Sequence, residues 1–301
     1  MSDQKADAVR DTVREGYSEI AEMGQWSGVR PASRRVVEAE GSGCCGGGSG
    51  EGGGCCGPVT LTADDVAVAV GYAKEDLASL PEGANMGLSC GNPTALASLV
   101  EGEVVVDLGS GGGFDCFLAG PKVGASGRVI GVDMTPAMLS KARGNIESYR
   151  KQSALDNVEF RLGEIEHLPI ADGVVDVVIS NCVINLSTDK GQVWREIARV
   201  LKPGGRAAVS DIALLRPLPE AVRANAEALV GCVAGAELVE DVLAAIESAG
   251  MVEVKQRAKP EYIEAMVNAE DPLYQKIAAA LPEGAKISDY IVSLDVEAKK
   301  G

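Results

Sequence analysis

Between Glu103 and Asp211, short runs rich in Val and Ile alternate with longer helix-compatible stretches, and this alternation limits the fold more than any other feature of the chain. Strands covered on both faces read as continuous apolar runs, and parallel neighbours need a crossover helix between them. The runs predict strands over 104–108, 128–132, 158–162, 174–180 and 206–210, with helices over 114–119, 136–150 and 192–201. The last helix is expected to stop at Lys202-Pro203-Gly204-Gly205, where proline and glycine break the pattern. The fold class is therefore α/β, a doubly wound Rossmann-like sheet, and 46% hydrophobic residues suffice to cover it on both sides.

The flanks read differently. Val13, Tyr17, Ile20 and Ala21 lie at helical spacing within 9–23, an amphipathic helix that caps another element. Residues 41–57 are mostly Gly and Ser around the pairs Cys44-Cys45 and Cys55-Cys56, a composition that reads as a flexible loop. Beyond Pro219 the chain is Ala-rich and helical, with a strand-like stretch at 252–254, and reads as a smaller C-terminal lobe. The expected organisation is an N-terminal helix and Cys/Gly-rich segment (1–75), a Rossmann-like domain (76–215) and a C-terminal lobe (216–301).

A formal net charge of -16 speaks against a nucleic-acid partner, because phosphate contacts need clustered Lys and Arg. The first residues are charged and lack an apolar signal core, and no stretch is as long as a membrane span, so a soluble cytoplasmic protein with no membrane partner is expected. In that compartment, eight cysteines read as thiols with a chemical task.

The first strand runs into Asp107-Leu108-Gly109-Ser110-Gly111-Gly112-Gly113 and then a helix. Glycines there let the backbone turn sharply and approach a ligand in the crevice at the strand ends. The dinucleotide fingerprint G-x-G-x-x-G needs glycine where Phe114 stands, whereas G-x-G-x-G fits. Gly131-Val132-Asp133, followed by Met134, closes the second strand with a carboxylate suited to two ribose hydroxyls. After the third strand, Glu164 and Ile165 in Gly163-Glu164-Ile165-Glu166-His167-Leu168-Pro169 offer an acid and an apolar surface to an adenine ring. These three features together resemble the class I S-adenosylmethionine-dependent methyltransferases, with Asp107, Gly109, Gly111, Asp133, Met134, Glu164, Ile165 and Asn181 as the implied cofactor residues.

Three cysteines stand in segments that can converge on that crevice. Cys182 follows the fourth strand, at the sheet end that faces the ligand; Cys90 lies in Leu88-Ser89-Cys90-Gly91-Asn92-Pro93; Cys232 belongs to the segment that would cover the crevice. Thiolates select soft, thiophilic centres, and the Cys-x2-Cys spacing of structural zinc is missing. The runs 82–93, Ser180-Asn181-Cys182-Val183-Ile184-Asn185-Leu186 and Gly231-Cys232-Val233-Ala234-Gly235-Ala236 resemble the arsenite methyltransferase family over roughly residues 72–250.

That resemblance implies trivalent arsenic, as arsenite or its thiol conjugates, held by Cys90, Cys182 and Cys232 and methylated by S-adenosylmethionine. It also implies a further N-terminal cysteine, for which Cys44, Cys45, Cys55 and Cys56 are all candidates. The pentavalent product would be returned to the trivalent state by two cysteines that become a disulfide, and thioredoxin or a glutathione-type reductant would restore them.

Plainer readings apply to the rest. Cys116 reads as a small buried hydrophobe, Asp176 as a partner for neighbouring backbone, and His167, the sole histidine, as a loop residue near the adenine. Two other functions compete. A methyltransferase for carbon or oxygen of a small molecule would not need Cys182 or Cys232, and a metalloid-sequestering protein would bind arsenite without turnover.

Overall fold

The structure is a computed structural model and describes residues 3–24, 62–268 and 271–301. Cys44, Cys45, Cys55 and Cys56, with the loop expected around them, lie outside the described residues. Helix α1 (Asp3–Met23) is followed, after the gap, by α2 (Ala63–Ala69), α3 (Lys74–Ala78) and α4 (Pro93–Leu96). The α/β core comprises β1 (Val104–Leu108), α5 (Phe114–Val123), β2 (Arg128–Asp133), α6 (Pro136–Ser153), β3 (Val158–Leu162), β4 (Val175–Asn181), α7 (Lys190–Val200) and β5 (Leu201–Leu214). The remainder forms α8 (Glu220–Arg223), α9 (Ala226–Val230), α10 (Val239–Ser248), β6 (Met251–Lys259), α11 (Pro260–Asn268), α12 (Pro272–Ala279) and β7 (Ile291–Lys300).

Among the described residues the seven strands form one sheet in the order β3-β2-β1-β4-β5-β7-β6. The first five are parallel, while β7 pairs antiparallel with both β5 and β6. The two strands of the C-terminal segment thus extend the same sheet, and the helices of that segment supply the cover. Successive strand residues serve opposite faces. Val105, Val129, Val177 and Ile179 pack with Phe117, Leu139 and Tyr149 of α5 and α6, while Val106, Leu108, Ile130 and Val178 pack with Trp194, Ile197 and Ile246 of α7 and α10. Burial on both faces is why these strands are apolar at consecutive positions, and each such side chain contributes about 1.5–3 kcal/mol.

Strands β1 to β4 fall within a residue of expectation, whereas β5 is longer at both ends, β6 extends the strand-like stretch at 252–254 to Met251–Lys259, and β7 lies in a segment read as helical. Helix α7 ends at Val200, and Lys202-Pro203-Gly204-Gly205 lie inside β5, where the register against β4 jumps from Val175↔Leu201 to Val177↔Arg206. An irregular strand start accommodates the proline and Gly204 at φ 76°. A further apolar cluster joins Val66, Ile212, Leu214, Ile263, Leu273 and Ile291, so α2, α11 and α12 pack over the carboxyl end of β5. Helix α1 packs on α6 and α9, burying Val13 and Ile20 at the same sheet edge.

Among the described residues no helix is long and apolar enough to cross a membrane.

Candidate active site

The carboxyl ends of β1, β2 and β4 open into a cleft floored by the glycine loop and roofed by α1. Gly109 has φ 66°, and a Cβ there would stand 2.3 Å from Val183 Cγ2, so only glycine lets the loop turn beneath the segment after β4. Asp133, at the end of β2, is 7% exposed. Its Oδ2 accepts the Gly111 N–H at 2.9 Å and its Oδ1 the Thr135 N–H at 2.7 Å, which fixes the carboxylate on the cleft wall with lone pairs to spare. Burial raises its pKa, and those two backbone hydrogen bonds act in the opposite sense.

Gly109, Gly111, Asp133, Met134, Ile165, Asn181 and Cys182 all line this cleft, as the sequence reading expects. Glu164 does not. It turns toward α1, with Arg10 Nε at 3.6 Å and Arg14 at 3.9 Å, and Glu166 forms the wall in its place while accepting the Ser187 hydroxyl at 2.6 Å. Asp107 faces an adjoining hollow that shares Leu88, Gly109, Gly111 and Asn181 with the cleft. The Cys116 thiol donates to Asp107 at 3.2 Å, so this core cysteine also satisfies a buried acid. Burial and the neighbouring Asp115 charge push the Asp107 carboxyl well above its ordinary range. His167 is exposed. Asp176 accepts the Val104 N–H at 2.9 Å and the Lys202 ammonium at 2.7 Å, the backbone partner role expected of it.

Cys90 and Cys182 are joined by a disulfide with Cα atoms 5.9 Å apart. The sequence reading grouped Cys90, Cys182 and Cys232 without pairing any two of them in a disulfide; the structure bonds Cys182 to Cys90. The reason is the Asn181 amide, expected at the cofactor but engaged by the protein on both sides. Its Oδ1 accepts the Cys90 N–H at 3.1 Å, and its Nδ2 donates to Tyr72 Oη, the Gly91 carbonyl and Asp115 at 3.0–3.1 Å. Gly91 makes the approach possible, because a Cβ there would lie 2.3 Å from the Ser210 side chain.

Cys232 stays a free, buried thiol whose Sγ donates to the Cys182 carbonyl at 2.6 Å and lies 3.9 Å from Tyr17 Oη. Both Cys182 (φ 55°) and Cys232 (φ 62°) hold left-handed backbone, a conformation that non-glycine residues keep only where the surroundings enforce it. Burial and the nearby Asp211 charge push the Cys232 thiol well above its ordinary pKa.

A second pocket holds Cys232 among Ile212, Met266, Leu273 and Tyr274, and it shares Tyr17, Leu88 and Cys182 with the cofactor cleft. Cys182 therefore stands in the partition between the glycine-loop cleft and an apolar, thiol-bearing pocket. Cys90 Sγ, Cys182 Sγ and a carboxylate oxygen of Asp211 lie within 4.8 Å of one another. Asp211 is held by the Asn185 amide at 2.9 Å and the Ile212 N–H at 2.9 Å, and burial raises its pKa to about 7.

The sequence reading missed Asp211 and the α1 residues Arg10, Val13 and Tyr17. Asp211 follows Ser210 near the carboxyl end of a strand, the same positional rule that selects Cys182. No local signal in α1 tells which element its apolar face meets.

The sequence matches the family model for a methyltransferase domain over residues 99–265. It is 42% identical over 304 aligned residues to the arsenite methyltransferase of Halobacterium salinarum, covering 100% of this chain and 68% of that protein. It is 47% identical over 143 aligned residues to the arsenite methyltransferase of Aquipseudomonas alcaligenes, covering 46% of this chain and 41% of the relative. The fold is similar to the crystal structure of an arsenic(III) S-adenosylmethionine methyltransferase from Chlamydomonas reinhardtii, with a TM-score of 0.55, 31% identity, and coverage of 78% of this chain and 73% of that one.

Proposed function

Because this chain belongs to the arsenite methyltransferase family, we propose that it methylates trivalent arsenic held by Cys182, Cys232 and Cys90, with S-adenosylmethionine as methyl donor. The observation that carries this reading is Cys182 in the partition common to the cleft and the thiol-bearing pocket. A thiophilic atom bound to that sulfur faces the donor without crossing solvent.

The residues present fit the cofactor. The glycine loop brings backbone close, the Asp133 carboxylate has acceptor capacity left for ribose hydroxyls, and Met134, Ile165, Val13 and Leu88 offer apolar surface for the adenine and the chain. S-adenosylmethionine supplies an electrophilic methyl group. The protein's part is to bind it, align the acceptor and exclude water.

Arsenite is neutral near pH 7, so an acidic surface does not repel it. Each As–OH exchanges with a thiol to give As–S and water, a step without net charge transfer. That suits Cys232, whose burial keeps it protonated until substrate arrives. The apolar side chains around it would keep water from the arsenic lone pair, the nucleophile to which S-adenosylmethionine would supply its methyl. The methylated arsenic is then pentavalent, and two electrons from a cysteine pair restore it as a disulfide forms. The Cys90–Cys182 bond supports a role for that pair as the electron source. A thioredoxin or glutathione-type thiol returns it to the dithiol state, with Cys44, Cys45, Cys55 and Cys56 as further candidates for arsenic binding or relay.

In this reading α1 roofs the site, 76–215 bind the cofactor, 216–301 enclose the arsenic, and the enzyme detoxifies arsenic in the cytoplasm. The test is product formation from arsenite and from methylarsenite. In single-turnover assays Cys182→Ser and Cys232→Ser are expected to abolish both, whereas Cys90→Ser loses methylation of arsenite yet keeps one methyl transfer to methylarsenite, because methylarsenite has only two exchangeable oxygens and the transfer precedes the disulfide. The assignment fails if Cys182→Ser keeps either activity or Cys90→Ser loses both.

A further inference from the structure

We propose that the Cys90–Cys182 disulfide is opened by a thiol that attacks Cys182 Sγ and expels Cys90, and that an occupied cofactor cleft blocks this attack. The proposal takes from the arsenic reading only its place in turnover; the direction of opening stands on the geometry alone.

The two sulfurs differ in access. Cys90 is 0% exposed, whereas Cys182 is partly exposed and forms wall in both the cofactor cleft and the Cys232 pocket. Thiol–disulfide exchange needs the nucleophile to reach one sulfur, and access selects which. On the far side of its loop Cys90 borders a hollow with Asn92, Arg257 and Lys259, but the residue is 0% exposed there, and Lys259 is closed against Asp295 at 2.6 Å.

The surroundings of Cys90 also suit a leaving sulfur. Its Sγ lies 3.4 Å from the Ser210 carbonyl oxygen and 3.7 Å from Asn181 Oδ1, two acceptors ready for an S–H. Its own N–H is held by Asn181 and its carbonyl accepts the Ser293 hydroxyl at 2.7 Å, so the released thiol stays in place. In the step, R–SH forms an S–S bond to Cys182, the Cys90–Cys182 bond breaks, and the proton of the incoming thiol ends on Cys90. A second R–SH displaces Cys182 as a thiol and leaves as R–S–S–R, so two external thiols are oxidised for one protein disulfide reduced.

Cys182 borders two spaces, the Cys232 pocket and, as the proposed route of attack, the cleft lined by Gly111, Asp133 and Met134. A thiol arriving there competes with the cofactor or its spent product, and the reset of the enzyme follows product release. The incoming thiol has two sources, an external one and the chain's own N-terminal pairs, and both attack the same sulfur.

The test uses full-length oxidised protein in two forms, unaltered and with Cys44, Cys45, Cys55 and Cys56 replaced by Ser. Each is treated with limiting glutathione, quenched in acid, alkylated and mapped by mass spectrometry. The expected result in the Ser form is glutathione on Cys182 and the alkyl label on Cys90. In the unaltered chain, a cross-link from Cys182 to an N-terminal cysteine is equally in favour. Glutathione or a cross-link on Cys90 overturns the proposal, as does oxidised protein in which Cys90 and Cys182 are not joined. S-adenosylhomocysteine at about ten times its Kd is expected to slow opening about tenfold, in proportion to the free cleft; an unchanged rate overturns the exclusion. Neither measurement involves arsenic, so failure of either is distinct from failure of the arsenic reading.

Discussion

Replacing Asp133 by Ala separates cofactor binding from arsenic binding. The carboxylate sits on the cleft wall, away from the Cys232 pocket, and its oxygens are positioned by the Gly111 and Thr135 N–H groups. Ribose hydroxyls donating to a charged acceptor contribute about 1.5–3 kcal/mol, and their loss raises the cofactor Kd about 10- to 150-fold. Losing the acceptor also strands two backbone donors, a stability cost of about 1–3 kcal/mol for each one that water does not reach, which thermal melting registers separately. Calorimetric titration of S-adenosylhomocysteine and of arsenite into reduced protein gives both affinities. Cofactor binding should weaken while arsenite binding stays within about a factor of two. Because burial raises the Asp133 pKa, wild-type cofactor affinity should fall as pH drops through that raised value and the carboxylate takes up a proton, and the Ala variant should lack that dependence. Equal cofactor affinity in mutant and wild type refutes the ribose assignment.

Asp211 makes a pH prediction. Its folded pKa of about 7 lies above the ordinary 3.8, so the folded state holds the proton more tightly, and this group's contribution to stability is present below about pH 4 and lost as pH rises toward 7, on the order of 4 kcal/mol at most. Urea unfolding of wild type and Asp211→Asn at several pH values should show the wild type losing ground to the variant across that window; parallel curves would contradict it. Reduced, desalted enzyme should release about one methylated arsenic per site and then stall without thiol, since the cysteine pair is consumed once per transfer. Sustained turnover without reductant would exclude the relay.

The parallel sheet was legible because burial on both faces leaves a direct mark, adjacent apolar residues such as Val104-Val105-Val106 and Val177-Val178-Ile179. The glycine loop and Asp133 were legible because ligand approach demands particular residue types at strand ends. Contacts between distant segments leave no such mark. Nothing in 9–23 tells that Tyr17 reaches Cys232, and nothing around Glu164 and Glu166 tells which of two similar acids, both within 4.0 Å of Arg10, lines the cleft. Asn181 illustrates the same limit. Its place at the end of β4 points to the cofactor, but its amide is consumed by Cys90, Gly91, Tyr72 and Asp115, groups 66 to 109 residues away in sequence. The pairing of Cys90 with Cys182 follows from that tether and from the close approach at Gly91.

The most direct test of the account is anaerobic incubation of the reduced protein with arsenite, S-adenosylmethionine and a thiol reductant, followed by speciation of the arsenic. Methylated arsenic that is formed by wild type and absent with Cys182→Ser is the predicted result. Arsenite recovered unmethylated while bound to reduced, folded, cofactor-loaded protein would contradict the account.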